Sequence, residues 1–128
     1  MKYISMGTQQ IDEVMVETIE LESKFLKRTV RIDFYQPEEA DPAVEPRLLL
    51  MNDGQDLVTM DFEKMLQPFY RNNVLQPLLI AAIHSNADRK NEYGMSEGPD
   101  YNGWGSKAPA YEQFVIHELL PFIHTRFH

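Results

Sequence analysis

The chain has 128 residues, of which 43% are hydrophobic and 11% aromatic, a composition that fits one soluble globular domain with an apolar core. Twenty acidic residues against twelve basic ones give a net charge of -8, which disfavours nucleic acid and anionic membrane surfaces as partners. The sequence contains no cysteine, so disulfides, thiolate chemistry and cysteine-based zinc sites are excluded.

The N-terminal residues do not have the pattern of a targeting signal. The first twenty lack the apolar core of a signal peptide, and no apolar run in the chain approaches the length that spans a bilayer. We therefore expect a cytoplasmic protein without a membrane partner.

The first third of the chain predicts two strands. Residues 13–23 and residues 27–37 alternate between the two faces of a strand, with Val30, Ile32 and Phe34 on one face and Asp33 and Tyr35 on the other. This period of two is typical of a half-exposed antiparallel pair. The acidic, proline-containing residues 38–46 predict a surface loop.

The middle of the chain predicts a β-α-β unit. Residues 47–53 and 77–84 are continuous apolar runs, which are typical of parallel strands covered on both faces. Between them, the apolar residues of 56–73 recur near helical spacing, and Pro68 is expected to kink or end that helix. The crossover between the two strands is expected to be right-handed.

The last third predicts a long polar loop and then a helix. Residues 85–107 are polar and contain several glycines, and an apolar stripe from Tyr111 to Ile123 follows. Pro121 lies inside this stripe, where a proline is costly to a helix. Together the elements predict the α/β class.

Residues Gly94 to Gly98 match the G-x-S-x-G pattern of serine hydrolases, with Ser96 in the position of the nucleophile. That pattern needs a strand directly before it and a helix directly after it. The nearest strand ends near His84, and the glycines and proline after Ser96 disfavour a helix. We interpret Ser96 as a loop residue. A small hydrolase that uses Ser96, with Asp100 and one of His117 or His124 as partners, is the third of the three functional hypotheses that we consider.

The histidines near the C-terminus raise the question of a metal site. His117, His124 and His128 are separated by seven and four residues, and the second spacing is that of a zinc-binding helix, with His84 or Glu118 as a conceivable third ligand. No H-E-x-x-H pattern is present. We expect a solvated helix face and no metal.

Three short segments carry a family resemblance. They are Asp53-Gly54-Gln55 after a buried strand, Asp88-Arg89 with Glu92-Tyr93 after the next strand, and Phe114 with residues 118–123 on the terminal helix. In their order and spacing, residues 14–127 resemble the N-terminal half of the esterases of the α/β-hydrolase superfamily, the relatives of enterochelin esterase and S-formylglutathione hydrolase. The resemblance implies a partial α/β-hydrolase sheet, formed by two antiparallel N-terminal strands, a β-α-β unit and a C-terminal helix. It implies a single incomplete domain over residues 1–128.

The resemblance also implies site residues. The backbone N–H of Gln55 would be one donor of an oxyanion hole, with Asp53 and Gly54 shaping the turn. The alternative is an ordinary turn at a strand end.

The second segment, Asp88, Arg89, Glu92 and Tyr93, would shape a pocket mouth at the carboxyl end of the sheet. The alternative is a set of ion pairs that only orders the loop. Trp104 would be a lid or pocket aromatic, or would simply cover a neighbouring helix.

In this superfamily the nucleophile, acid and histidine follow the segment that matches the end of this chain. The first functional hypothesis is therefore an N-terminal fragment of a carboxylesterase that is inactive alone. The resemblance implies hydrolysis of small-molecule esters or thioesters, of carbohydrates or siderophores, without a cofactor. The family's sheet order would leave residues 47–51 as an exposed apolar edge, so we expect self-association. A non-catalytic binding or assembly module that uses this edge is the second hypothesis.

Overall fold

A computed structural model of the chain describes residues 2–11, 13–38, 45–72, 78–93 and 105–127. The chain divides into two compact units. The sheet unit comprises Tyr3–Glu20 and Val30–Ser85, and the helical unit comprises Met1–Lys2, Leu21–Thr29 and Asn86–His128. The expectation of one incomplete domain over residues 1–128 stays a prediction.

The described residues form one five-stranded sheet. Its strands are β1 (Tyr3–Ile11), β2 (Val14–Ser23), β3 (Arg28–Pro37), β4 (Arg47–Asn52) and β5 (Leu78–Ile83). They lie in the order β1-β2-β3-β5-β4. The neighbouring strands β2 and β3 are joined by a turn at residues 24–27, which is the connection of a hairpin. The predicted α/β class is confirmed, and β1 is a strand that the sequence interpretation missed.

The β-α-β unit is confirmed by the pairing of β4 with β5. These two strands are parallel and adjacent, with Leu49 opposite Ile80. Strand β3 pairs with the other side of β5 in the antiparallel direction, with Phe34 opposite Ala81. The sheet is therefore mixed, and the carboxyl ends of β4 and β5 lie at the same edge.

The connection between β4 and β5 contains two helices instead of one. They are α1 (Gly54–Thr59) and α2 (Phe62–Arg71). The break is at Asp61, which has a left-handed backbone with φ of 50°. Pro68 lies inside α2, which continues to Arg71 although proline cannot donate an intrahelical hydrogen bond. Pro68 therefore does not end the helix, which continues to Arg71. The break in the connection lies at Asp61, in a left-handed conformation that aspartate tolerates.

The core of the sheet unit lies between strands and helices. Its buried residues come from β2, β3, β5, α1 and α2: Val14, Tyr35, Leu57, Leu66, Tyr70, Ile80 and Ala82. Strand β5 is almost completely buried, as expected. In contrast, β4 is exposed or half-buried along its length, so the expectation that it is covered on both faces is wrong.

The exposed face predicted for β3 is also only partly correct. Thr29 and Arg31 are exposed, but Asp33 and Tyr35 are each only 1% exposed. The middle of β3 is therefore buried on both faces.

The helical unit contains the turn at residues 24–27 and the short helix α3 (Arg89–Glu92). It also contains a long helix that begins as α4 (Ala108–Phe114), widens into a π-helical turn (Val115–Leu119) and ends as α5 (Leu120–Arg126). In the π turn, the Leu120 N–H donates to the Val115 carbonyl. This turn lies directly before Pro121, so the helix passes the proline without a break.

No helix in the described ranges is both long and apolar enough to cross a bilayer.

Candidate functional site

The turn after β4 has an unusual backbone that only certain residues allow. Asp53 is left-handed, with φ of 57° and ψ of 47°, a conformation that aspartate adopts more readily than most residues. Gly54 then begins α1, and a Cβ atom at this position would lie 2.7 Å from the Ala82 carbonyl oxygen and 2.9 Å from His84 Cδ2. Glycine is therefore required where the helix begins against β5.

A ring of side-chain hydrogen bonds joins this turn to the residue that follows His84. Gln55 Nε2 donates to Ser85 Oγ at 2.5 Å, and the Ser85 backbone N–H donates to Gln55 Oε1 at 3.1 Å. Ser85 Oγ in turn donates to Asp53 Oδ1 at 2.9 Å. The ends of β4 and β5 are thus tied together, and the Gln55 side chain is held in one orientation.

The backbone N–H of Gln55 is an available donor. Gln55 is the second residue of α1, a position at which a helix has no acceptor of its own to offer. The next N–H, that of Asp56, donates to the Asp53 carbonyl at 2.9 Å. Among the residues that the structure describes, none accepts a hydrogen bond from the Gln55 N–H. The turn therefore presents a fixed donor of the kind that an anion or a polarised carbonyl can use.

A buried carboxylate and a histidine lie beside this turn. His84 follows β5, and its Nε2 lies 2.6 Å from Asp33 Oδ2. The Asp33 carboxylate also accepts a hydrogen bond from Thr18 Oγ1 at 2.8 Å. Burial by itself raises the pKa of Asp33, but the hydrogen bonds from His84 and Thr18 and the nearby positive charges outweigh it and lower that pKa below its usual value. Asp33 is therefore charged at neutral pH, and it anchors the His84 ring against Gly54.

The sequence interpretation missed this Asp33–His84 contact. It placed Asp33 on an exposed face and considered His84 only as a metal ligand. The signal that could have found it is the register of β3 against β5, in which Asp33 lies opposite Ala82, two residues before His84. That register is not visible in the sequence alone.

In the helical unit, Asp88 and its neighbours are engaged in local contacts. Asp88 forms an ion pair with Lys107 and accepts a hydrogen bond from Asn91 Nδ2 at 2.6 Å. The Lys107 ammonium, followed by the Asn91 amide, holds the pKa of Asp88 below its usual value. The Arg89 guanidinium lies over the Tyr93 ring, 5.7 Å from its centroid.

Among the described residues of this loop, Glu92 is the most buried charged one, with a side chain only 1% exposed. Arg28 binds it with two hydrogen bonds, from Nε at 2.9 Å and from Nη2 at 2.7 Å. Tyr93 packs edge-on against Tyr111, with ring centroids 5.4 Å apart. These contacts hold residues 88–93 in place, and the role of Asp88, Arg89, Glu92 and Tyr93 at a pocket mouth stays a prediction.

Several candidate residues lie outside the described ranges. They are Ser96 with its flanking glycines, Asp100, Trp104 and His128. Within the described ranges, no three acidic or histidine side chains are grouped as a metal ion would need. The Glu118 carboxylate accepts hydrogen bonds from Ser23 Oγ at 2.6 Å and from the Lys24 N–H at 2.9 Å.

Comparison with solved structures identifies similar folds. The BES protein from Bacillus cereus matches with a TM-score of 0.66 and 18% identity, over 95% of this chain and 50% of that protein. An uncharacterised protein from Capnocytophaga ochracea DSM 7271 matches with a TM-score of 0.63 and 18% identity, over 88% of this chain and 29% of that protein. The chain thus spans half or less of the length of these two proteins. At this identity the likeness concerns the fold.

A comparison with curated proteins finds no match. The model of the family described as "Putative esterase" matches residues 23–128, which include every strand from β3 to β5, the turn at Asp53 and the long terminal helix. The chain therefore belongs to the Putative esterase family.

Proposed function

We propose that this chain is the part of a serine ester or thioester hydrolase that supplies the scaffold and one oxyanion donor. In this proposal the nucleophile, the acid and the base come from sequence outside the chain, and the chain alone is inactive. The substrate is a small-molecule ester, of a carbohydrate or a siderophore as the family resemblance implies, and the reaction needs no cofactor. The proposed location is the cytoplasm.

The observation that carries the proposal is the Gln55 backbone N–H. During ester hydrolysis the carbonyl oxygen gains negative charge as the tetrahedral intermediate forms, and a donor that is already in position stabilises that charge without reorganisation. Three features of the turn keep the Gln55 donor in position: the left-handed Asp53, the contact of Gly54 with β5, and the ring of hydrogen bonds through Ser85.

The Gln55 donor can be tested by comparing a variant that lacks both the N–H and the side chain with one that lacks only the side chain. Gln55→Pro, made in the longest protein that contains this chain, removes the N–H at a first-turn position where a helix tolerates proline. We expect kcat for p-nitrophenyl acetate to fall about 10²- to 10³-fold. Gln55→Ala keeps the N–H and removes only the contact with Ser85, so it is the matched control.

The comparison between the two variants decides the role. A large loss in Gln55→Pro with a much smaller loss in Gln55→Ala supports the backbone donor. Equal losses, or an unchanged kcat in a Gln55→Pro variant that is folded by circular dichroism, would contradict it.

A second function is suggested by the exposure of β4. In the described part of the chain, β4 pairs with β5 on one side only. Leu48 and Leu49 on this edge strand are 38% and 43% exposed. An apolar edge with unpaired backbone groups favours pairing with another strand. We therefore propose that the isolated chain associates with a second copy through β4. The same edge strand would be the contact surface if the chain acts as a binding or assembly module.

A further inference from the structure

The helical unit contains a cavity of about 720 Å³ that lies among residues of the β2–β3 turn, the π turn and the N-terminus. Its walls include four cationic side chains, those of Lys2, Lys24, Lys27 and Arg28, and two carboxylates, those of Glu22 and Glu118. The cavity is thus locally basic in a chain with a net charge of -8. The net charge of the chain repels anions at long range. The basic side chains of this cavity therefore do not follow from the overall composition.

The three lysines of the cavity form no ion pair with the described residues, although two carboxylates also lie in the cavity wall. Among the described residues, no carboxylate lies within ion-pair distance of the ammonium groups of Lys2, Lys24 or Lys27. The fourth cation, Arg28, is held in the wall by Glu92 and does not depend on a ligand for its position. Three ammonium groups without an ion-pair partner among the described residues therefore line the opening.

The carboxylate of Glu118 repels an anion less than its charge suggests. Its two oxygens accept hydrogen bonds from Ser23 Oγ and from the Lys24 backbone N–H, and the residue is only 5% exposed. These two hydrogen bonds offset part of the negative charge of the Glu118 carboxylate and connect it to the turn that carries Lys24 and Lys27. Glu118 thus fixes the backbone of the turn that presents the lysines.

The cavity also offers an apolar surface. The Phe25 ring is 42% exposed and lies 6.1 Å, centroid to centroid, from the ring of His117. An exposed aromatic pair beside cationic groups can pack against the carbon skeleton of a ligand while the ammonium groups bind its charges.

We propose that this cavity binds a small organic anion that carries more than one phosphate or carboxylate group. The site is separate from the proposed ester hydrolysis, since none of its residues belongs to the turn at Gln55. Phosphate and carboxylate share the chemistry that lysine recognises, as acceptors of charge-assisted hydrogen bonds.

The proposal is tested by calorimetric titration of the 128-residue chain at low ionic strength, with tripolyphosphate and with citrate as separate probes. We expect saturable binding of one equivalent of at least one probe, with a Kd below about 1 mM, and a weaker signal in added salt. The stronger probe tells which anionic group the site prefers.

Two variants locate the site. Lys24→Gln removes one ammonium group and leaves the backbone N–H that binds Glu118. Lys27→Asn removes another and suits the left-handed backbone there, whose φ is 55°. Each is expected to weaken binding about two- to fivefold, the range of an exposed charge pair. Lys64→Gln, on the exposed face of α2 in the other unit, is the matched control and should leave binding unchanged.

No saturable binding of either probe, or an equal loss in Lys64→Gln, would overturn the proposal. Thermal unfolding of each variant checks that the fold is kept. If Lys27→Asn unfolds the chain, the comparison of Lys24→Gln with Lys64→Gln still decides.

Discussion

At the scale of single residues, the chain places a glycine and two aspartates at positions that have specific backbone or hydrogen-bond requirements. Gly54 is in contact with the backbone of β5, Asp53 adopts a left-handed conformation, and Asp33 is buried against His84. Each of these features supports the turn that presents the Gln55 N–H.

Gly54→Ala is expected to destabilise the chain. The added Cβ would lie 2.7 Å from the Ala82 carbonyl oxygen, a backbone atom that cannot rotate away. We expect the free energy of unfolding to fall by about 1–3 kcal/mol, as for other overpacked sites. Urea unfolding measures this change. Val58→Ala, on an exposed position of the same helix, should stay within about 0.5 kcal/mol. A Gly54→Ala variant as stable as the wild type would contradict the close contact.

Asp33 makes the stability depend on pH in the acid range. Because the pKa of Asp33 is lowered in the folded state, its contribution is complete above the usual aspartate pKa of about 3.9 and is lost as the pH falls through the lower folded value. Asp33→Asn should cost about 1–3 kcal/mol at pH 7. Between pH 7 and pH values near 3, the free energy of unfolding should also fall less in Asp33→Asn than in the wild type, because the variant has no carboxylate to protonate at this position.

Urea unfolding at pH 7 and near pH 3 tests this expectation, with the exposed Asp56→Asn as the control. The same acid-dependent loss in Asp33→Asn and in the wild type would show that the pair with His84 does not stabilise the fold.

At the scale of elements, the parts that could be predicted are those with a strong local pattern. The apolar runs of β4 and β5, with a helical period between them, predicted the β-α-β unit, although only β5 is buried as such a run implies. Strand β1 has no such pattern in its sequence. Its apolar residues Ile4 and Met6 are exposed, so pairing in the sheet, and not burial, decides its conformation. For the candidate site, the family resemblance pointed to the turn at Asp53 to Gln55, and the role of this turn stays a prediction. Its contacts with Ser85 and His84 depend on strand register, which the sequence does not show.

The edge strand β4 gives a test at this scale. Leu49→Lys places a charge on the exposed edge, which natural sheets use to prevent pairing between chains. Sedimentation of the 128-residue chain should show a dimer or larger species that shifts toward monomer in this variant. Met65→Lys, at a similarly exposed apolar position on α2, should not change the mass. A wild-type chain that is already monomeric would contradict association through β4.

At the scale of the whole molecule, the proposed function is supported by two findings. The chain belongs to the Putative esterase family, and its fold matches part of two longer proteins. The chain spans half or less of those structures. In our proposal the catalytic nucleophile lies in the remainder, and the G-x-S-x-G pattern at Ser96 is incidental. The Gln55 donor and the basic cavity are then separate features of one scaffold.

The most direct measurement is hydrolysis of p-nitrophenyl acetate by the purified 128-residue chain, followed by treatment with a serine-directed fluorophosphonate and intact mass analysis. We expect no turnover above buffer, no covalent adduct, and no difference between the wild type and Ser96→Ala. The longest protein that contains this chain should hydrolyse the ester and gain one adduct on a serine outside residues 1–128. Turnover by the short chain with stoichiometric labelling of Ser96 would contradict the account and make this chain a complete hydrolase.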